Sequence, residues 1–480
     1  MQCRSILPNC DTLTEQHKYD KKYTTRALLL FSAFSILVLY IETMLIPSLP
    51  AIGREYHTNA AETSLIVSMY LVSGVALSPV VGKLGDVYGK KRMLKYVLPI
   101  YVIAVGITGF SPNFTIILLS RTIQGIGLTI FSLLISLIQE EFPKELVPRS
   151  LSIIMAMFGI GSAVGLPLGS FISNAYGWQV SYHTALPLVA IVSALILVYI
   201  RESKYTRPNV SIDYVGAIGM AASLSMIVFA LSEGTSMGWT SAPIIFLLAA
   251  GTAILVSTVF YERRVIEPIL NAKLLGIRNV FNANLITLIA GLGFFFSYQI
   301  FAYLFESPPP LGFGYSIFQT GLAMAPFAIV NVIVAPLLGR YIPRIGVKPF
   351  FIIGGLVGIA GFAVSLTAST ALFSIIGEAV IGMGIAMINI PTINLLVLSI
   401  EQRDMGIATS MNSVFRFVGS ALGAPIAGLL IAEFQSKVAF AYSFYIGIIT
   451  LVLAIVLSLF VDEILGKNKK ITKIEEEVSI

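Results

Sequence analysis

Charge is scarce in this chain of 480 residues: Asp, Glu, Lys and Arg together make up 12% of it. A soluble domain carries about 25%. With 56% hydrophobic residues and a mean hydropathy of +0.87, that scarcity excludes a soluble enzyme, a disordered hub and a secreted scaffold. An outer-membrane barrel is also excluded, because its alternating strands keep the composition moderate. Cysteine is nearly absent. Cys3 and Cys10 lie close together in a polar N-terminal stretch and make no disulfide framework. His17, His57 and His183 are scattered, so no metal site is expected. No phosphate-cradling Walker loop and no nucleophile–base arrangement is visible, so neither direct use of ATP nor catalysis is expected. A cleavable signal peptide is missing too. The first apolar run starts near Ala27, carries Glu42 and lacks a small-residue cleavage site, so it reads as a permanent span.

Long apolar runs are abundant. About 20 such residues cross a hydrocarbon core as helix. Fourteen candidates appear, at 27–49, 64–83, 94–111, 113–138, 150–173, 180–200, 213–233, 241–261, 279–304, 315–338, 349–368, 371–397, 405–431 and 438–461. The stretch 349–400 is too long for one span, and a tight turn at Thr367–Thr370 divides it. An all-α integral membrane protein follows. Its net charge of +6 is then a matter of loop charges rather than of a nucleic-acid surface.

Lysine and arginine set the orientation. With a cytoplasmic N-terminus, 27 of the 31 fall on the cytoplasmic side. Two, Arg54 and Lys437, fall in outer loops, and two, Arg121 and Arg416, fall inside helices. Both termini are therefore expected in the cytoplasm.

The chain also repeats itself. Gly82 and Gly89 flank a basic turn, as do Gly339 and Gly346 at an offset of 257. Gly125 and Gly127 recur as Gly382 and Gly384 at the same offset. The stretch from Gly161 to Pro167 recurs from Gly419 to Pro425, at 258. The expected organisation is a cytoplasmic tail at 1–26, a six-helix bundle at 27–204, two inserted helices at 205–262, a second six-helix bundle at 263–462 and a tail at 463–480. Two like halves around a central site are a recurrent transporter plan.

Three motifs stand out. The turn after helix 2 holds Gly82, Asp86, Gly89, Lys90, Lys91 and Arg92. Its glycines suit a tight turn where helices approach, and Asp86 can cap a helix or pair with a cation. Helix 4 carries Arg121, Gln124, Gly125 and Gly127. Helix 5 carries Gly161, Gly165 and Gly169 at four-residue spacing, with Pro167 among them, a smooth stripe on which another helix can rock.

These residues resemble the motifs of the major facilitator superfamily: the G-x-L-x-D-x-x-G-[KR]-[KR] turn, R-x-x-Q-G-x-G and the antiporter motif of helix 5. The segment Glu42 to Ile52 resembles the acidic first-helix motif of drug exporters. The spacing from Trp178 to Pro187 resembles that of the 14-helix drug–proton antiporter group. The resemblance covers about residues 26–462 and implies the major facilitator fold. Some positions depart from it. Val87 stands where the turn usually has Arg, and Pro343 where the second half would have Asp. Leu166 separates Gly165 from Pro167, and Ser170 replaces a usual glycine.

Charges inside the spans cost about 2.5–3.5 kcal/mol each on insertion scales. Four are present: Glu42, Arg121, Glu378 and Arg416. Glu42 and Arg121 both lie roughly 6 Å outward of their helix centres, counted at about 1.5 Å per residue. If their faces meet they can pair, and this pair is the expected proton-coupling element; fixing helix packing is the alternative. At the repeat offset Glu42 becomes Gln299 and Arg121 becomes Glu378. Gln124, Gln299, Glu378, Tyr70 and Asn331 are the expected lining of a substrate cavity. The aromatics Tyr40, Phe294, Phe295, Phe296, Tyr298 and Tyr303 are further candidates. Gln124 and Asn331, like Asn389, Asn394 and Asn412, can instead bond a neighbouring helix, and Arg416 reads as structural.

The resulting expectation is a plasma-membrane secondary transporter acting as a monomer. It would export amphipathic or cationic organic compounds in exchange for protons, with a proton gradient as driving force and no cofactor. The Gly82–Arg92 turn would latch the outward-open state against helix 13 near Arg403 and Asp404. The alternatives are a proton-coupled carrier of one specific metabolite on the same fold and a membrane sensor.

Overall fold

The computed structural model describes residues 21–143, 146–202, 211–265, 268–401, 405–434 and 436–463. Fourteen helices are long and apolar enough to span a membrane. We number them α1 (Lys21–Glu55), α2 (Ala60–Tyr88), α3 (Lys90–Gly109), α4 (Phe114–Glu141), α5 (Arg149–Tyr176), α6 (Trp178–Tyr199) and α7 (Tyr214–Met237). Then follow α8 (Ala242–Glu262), α9 (Arg278–Glu306), α10 (Ile317–Ile342), α11 (Lys348–Leu366), α12 (Ala371–Ser399), α13 (Ile407–Phe434) and α14 (Lys437–Leu459). The turn expected at Thr367–Thr370 separates α11 from α12. Helix α1 is already helical at Lys21, the first described residue, which lies inside the expected tail, and its regular part ends at Thr43. A 3₁₀ turn at Ile46–Ser48, built on Pro47, then bends it. Cys3, Cys10, His17, Arg403, Asp404 and most of both tails lie outside the described residues.

Local chemistry explains the helix starts. Asn59 caps α2: its Oδ1 accepts from the N–H of Ala61 and Glu62 at 2.8 and 2.9 Å. Glu62 Oε2 in turn accepts from the Asn59 N–H at 3.1 Å. The same box recurs 257 residues on at α10, where Ser316 and Gln319 exchange bonds of 3.3 and 2.9 Å. Such a cap contributes about 1 kcal/mol, and its repetition adds a landmark to the internal repeat.

Within the halves α1 packs on α5, α9 on α13, and α11 on α12; between the halves α2 meets α13 and α5 meets α10. The inserted helices form a hairpin in which α8 packs on α7, and α7 leans on α2 and α13 along one seam between the halves. The outward side of α8 is oily and exposed at Ile245, Phe246 and Phe260.

The two ends of the bundle differ. At the Arg54 end Met44, Leu45, Ile46, Leu49, Ile52, Phe301 and Phe305 are buried. There the halves are joined by an ion pair between Arg54 and Glu306. A Thr63–Tyr303 hydroxyl contact of 2.5 Å and a Gln299 Nε2 bond to the Ala60 carbonyl at 3.3 Å add to it, and Phe171 meets Phe318 edge-on. At the opposite end, which carries the basic turns, residues 151–160 of α5 and 329–337 of α10 are almost all half-buried or exposed. The bundle is closed at the Arg54 end and looser at the Gly82 end.

Candidate functional site

Glu42 stands four residues before the 3₁₀ bend in α1 and is buried. Arg121 of α4 and Arg416 of α13 are the cations near enough to act on it through space. One belongs to each half, so the acid lies within electrostatic reach of cations from both. No direct ion pair joins Glu42 to Arg121. Arg121 spends its donors elsewhere: Nε donates to the Ile66 carbonyl at 2.9 Å and one Nη to Gln124 Oε1 at 3.2 Å. Its guanidinium lies over the Tyr70 ring, 4.7 Å from the centroid, an interaction worth about 0.5–2 kcal/mol. Its other Nη has no hydrogen-bond partner. The cause is the tight packing of α4 on α2. A side chain at Gly125 would collide with the Tyr70 carbonyl and Ser73, and its absence brings Tyr70 under the arginine.

Arg416, read from the sequence as structural, is half-buried and is brought toward Glu42 by α13. Its guanidinium stacks over Phe417 at 5.3 Å. Its depth along α13 was readable, but its coming within electrostatic reach of an acid of the other half depends on the tertiary packing.

The expected cavity residues are sequestered rather than open. Tyr70, Gln124, Gln299 and Glu378 are at most 1% exposed. Gln124 bonds the Ala104 carbonyl and Thr108 inside the first bundle. Asn331 is half-buried and ties α10 to α12 by donating to the Phe327 and Gly382 carbonyls at 2.8 and 3.2 Å. Asn412 likewise bonds Asn284 and Thr287 of α9. Phe294, Tyr298 and Phe327 pack on one another with centroids 4.7–5.2 Å apart. The Tyr298 hydroxyl contacts Ser162 Oγ at 3.2 Å, joining α9 to α5 across the halves.

The stripe of Gly161, Gly165 and Gly169 faces α1 along Ile36 to Met44, inside the first half. The departure at Ser170 has a counterpart on the facing helix: Gly321 of α10 makes room for the Ser170 side chain. Pro167 is half-buried beside the stripe.

In the turn, Gly82 has open space around it, while a Cβ at Gly85 would lie 2.6 Å from Leu133. The expected need for glycine thus falls on Gly85 and on Gly89, whose φ of 100° disfavours any side chain. Lys90 is almost fully buried and bridges Asp86 Oδ1 at 3.0 Å and Glu140 Oε1 at 2.6 Å. Asp86 is thus engaged inside its own half. Sequence reading missed Glu202, whose carboxylate accepts from the Lys91 and Arg92 N–H groups at 2.9 Å each. It caps the N-terminus of α3. Glu463 does the same for α11, accepting from Val347 and Lys348 beside Gly346. The signal was an acid just past the sixth span of each half.

A family model described as the Major Facilitator Superfamily matches residues 31–424 and 310–478. The chain belongs to that superfamily, which makes it a membrane transporter rather than an enzyme. It is 25% identical over 417 residues to the multidrug resistance protein Stp of Mycobacterium tuberculosis, covering 85% of this chain and 76% of that one. It is 26% identical over 374 residues to the multidrug transporter protein MdtP of Bacillus subtilis, covering 76% and 67%. Among solved structures, the human organic anion transporter MFSD10 (TETRAN) superposes with a TM-score of 0.62 at 16% identity, covering 90% of this chain and 99% of that one. A bacterial homologue of the human lysosomal transporter Spinster, inward-facing and unoccupied, superposes with 0.63 at 12%, covering 92% and 97%. These two likenesses speak to the fold.

Proposed function

We propose that the protein exports amphipathic, cationic organic compounds from the cell in exchange for protons by alternating access, as a plasma-membrane monomer with both termini in the cytoplasm. The observation that supports this reading is that the buried Glu42 lies within electrostatic reach of Arg121 of one half and Arg416 of the other. An ionised Glu42 draws α1, α4 and α13 together. A proton on Glu42 cancels that attraction and frees the halves to move. A cationic substrate competes with the proton for the same carboxylate, which is the logic of exchange. The names of the relatives favour drugs as cargo.

With the basic turns cytoplasmic, the closed Arg54 end is the outer one. Asp86, held by Lys90 in this state, would then let go to latch α13 when the cytoplasmic end closes.

Reconstitution in vesicles with an imposed pH gradient tests the reading, with a lipophilic cation as cargo. Uptake driven by the gradient, with counterflow of protons, is expected, and Glu42→Gln is expected to uncouple the two. Normal coupling in Glu42→Gln would sink the proposed site. Movement of no organic cation would remove the drug-export reading and leave a carrier of another solute.

A further inference from the structure

A second acid, Glu378 of α12, has surroundings opposite to those of Glu42. Its side chain is fully buried, and neither carboxyl oxygen has a hydrogen-bond partner. Helices α9, α10, α11 and α13 pack around α12. Tyr298 of α9 is the titratable group facing it, and no charged group of these helices acts on it among the described residues. A bare carboxylate in that place has neither solvent nor counter-ion, and a buried group so placed takes up a proton instead of holding charge.

The repeat sharpens the contrast. Glu378 occupies the position of Arg121 in the second half, and Gln299 that of Glu42. The first half thus holds an acid with a base, the second an amide with a lone acid. Tyr298, next to Gln299, lies within electrostatic range of both Glu42 and Glu378. Its hydroxyl contact with Ser162 crosses between the halves, so rocking the halves disturbs the wall of the Glu378 site. Gly382, one helical turn or about 6 Å along α12, accepts at its carbonyl from the half-buried Asn331.

We propose that Glu378 is a second proton-binding site of the transport cycle, loaded while buried in this closed-outside state and unloaded when the halves rock. Glu42 is the acid that cations and substrate contest; Glu378 is the acid that carries a proton with no competing cation. The inference rests on the exchange reading above.

Two measurements on the full-length protein in vesicles separate it from that reading. The first is labelling by a hydrophobic carbodiimide, which attacks protonated carboxyls in apolar sites, mapped by peptide mass spectrometry. An adduct at Glu378 that diminishes as pH rises is expected, and one that also diminishes when cargo drives the cycle. No adduct at Glu378, or one indifferent to pH, overturns the proposal whatever the cargo turns out to be. The second is the ratio of protons to cargo cations. Glu378→Gln is expected to halve that ratio, whereas Glu378→Asp, which restores a carboxyl, is expected to keep it. An unchanged ratio in a folded Glu378→Gln overturns the proposal. Should no organic cation move at all, the exchange reading fails and the labelling result alone decides the protonation of Glu378.

Discussion

Replacing Gly161 by alanine tests how closely α5 lies on α1. A Cβ built there would stand 2.5 Å from the Ile36 carbonyl oxygen, 2.9 Å from Leu39 Cβ and 3.1 Å from Ile36 Cα. Comfortable carbon contacts begin near about 3.5 Å, so α5 must retreat by about 1 Å. Two of the three atoms are backbone and cannot rotate away. Overpacking of this kind costs about 1–3 kcal/mol, and the better helix propensity of alanine returns about 1 kcal/mol. A net loss of up to about 2 kcal/mol is expected. Gly82→Ala is the control, because nothing lies within 4 Å of a Cβ there. It keeps the propensity gain without the collision. Gly419→Ala, the repeat counterpart, drives its methyl into the Leu288 carbonyl on α9 and is expected to be the worst of the three. Thermal unfolding of the purified variants in detergent reads the order Gly82→Ala above Gly161→Ala above Gly419→Ala. If Gly161→Ala melts with Gly82→Ala, the stripe is not a packing surface and the argument from close approach is wrong.

Two further outcomes follow from the basic turns. Glu202→Ala removes the acceptor for two N–H groups at the start of α3 and is expected to cost about 1 kcal/mol. Hydrogen exchange at the amides of Lys91 and Arg92 should rise, and Glu463→Ala should do the same at Val347 and Lys348. Lys90→Met leaves Asp86 and Glu140 facing each other without their shared cation, at a cost of roughly 1–3 kcal/mol given that both acids are partly exposed. A Lys90→Met variant that melts with the parent protein would contradict the bridge.

Much of the fold was legible because a membrane span is a one-dimensional signal. Length and oiliness define each helix, and the asymmetry of lysine and arginine keeps the count in register. Helix ends were less visible. The bend at Pro47 depends on how the chain meets its neighbours. The sites were legible only as a shortlist. Sequence depth put Glu42 and Arg121 at one level, but the rotation of α4 decides what Arg121 touches, and it turns Nε to the Ile66 carbonyl. The turn motif names its glycines alike, yet crowding falls on Gly85 and Gly89 and spares Gly82. Glu202 passed as one solvated loop charge among many, because capping depends on where α6 delivers it.

The repeat explains what is shared between the halves and, by its failures, what is not. Glycine contacts, capping boxes and acid caps recur on both sides: Gly161 with Gly419, Asn59 with Ser316, Glu202 with Glu463. These features answer to packing, and both halves face the same packing problem. The ionisable residues do not recur. Glu42 and Arg121 face Gln299 and Glu378 across the pseudo-symmetry, and Arg416 comes toward the acid of the opposite half. Packing alone gives no reason to put four costly charges in the membrane, and symmetry gives no reason to place them differently in the two halves. On the proposed exchange reading, an asymmetric set of charges on a symmetric scaffold would make the free energy of rocking depend on which acid holds a proton, and that dependence is what coupling requires.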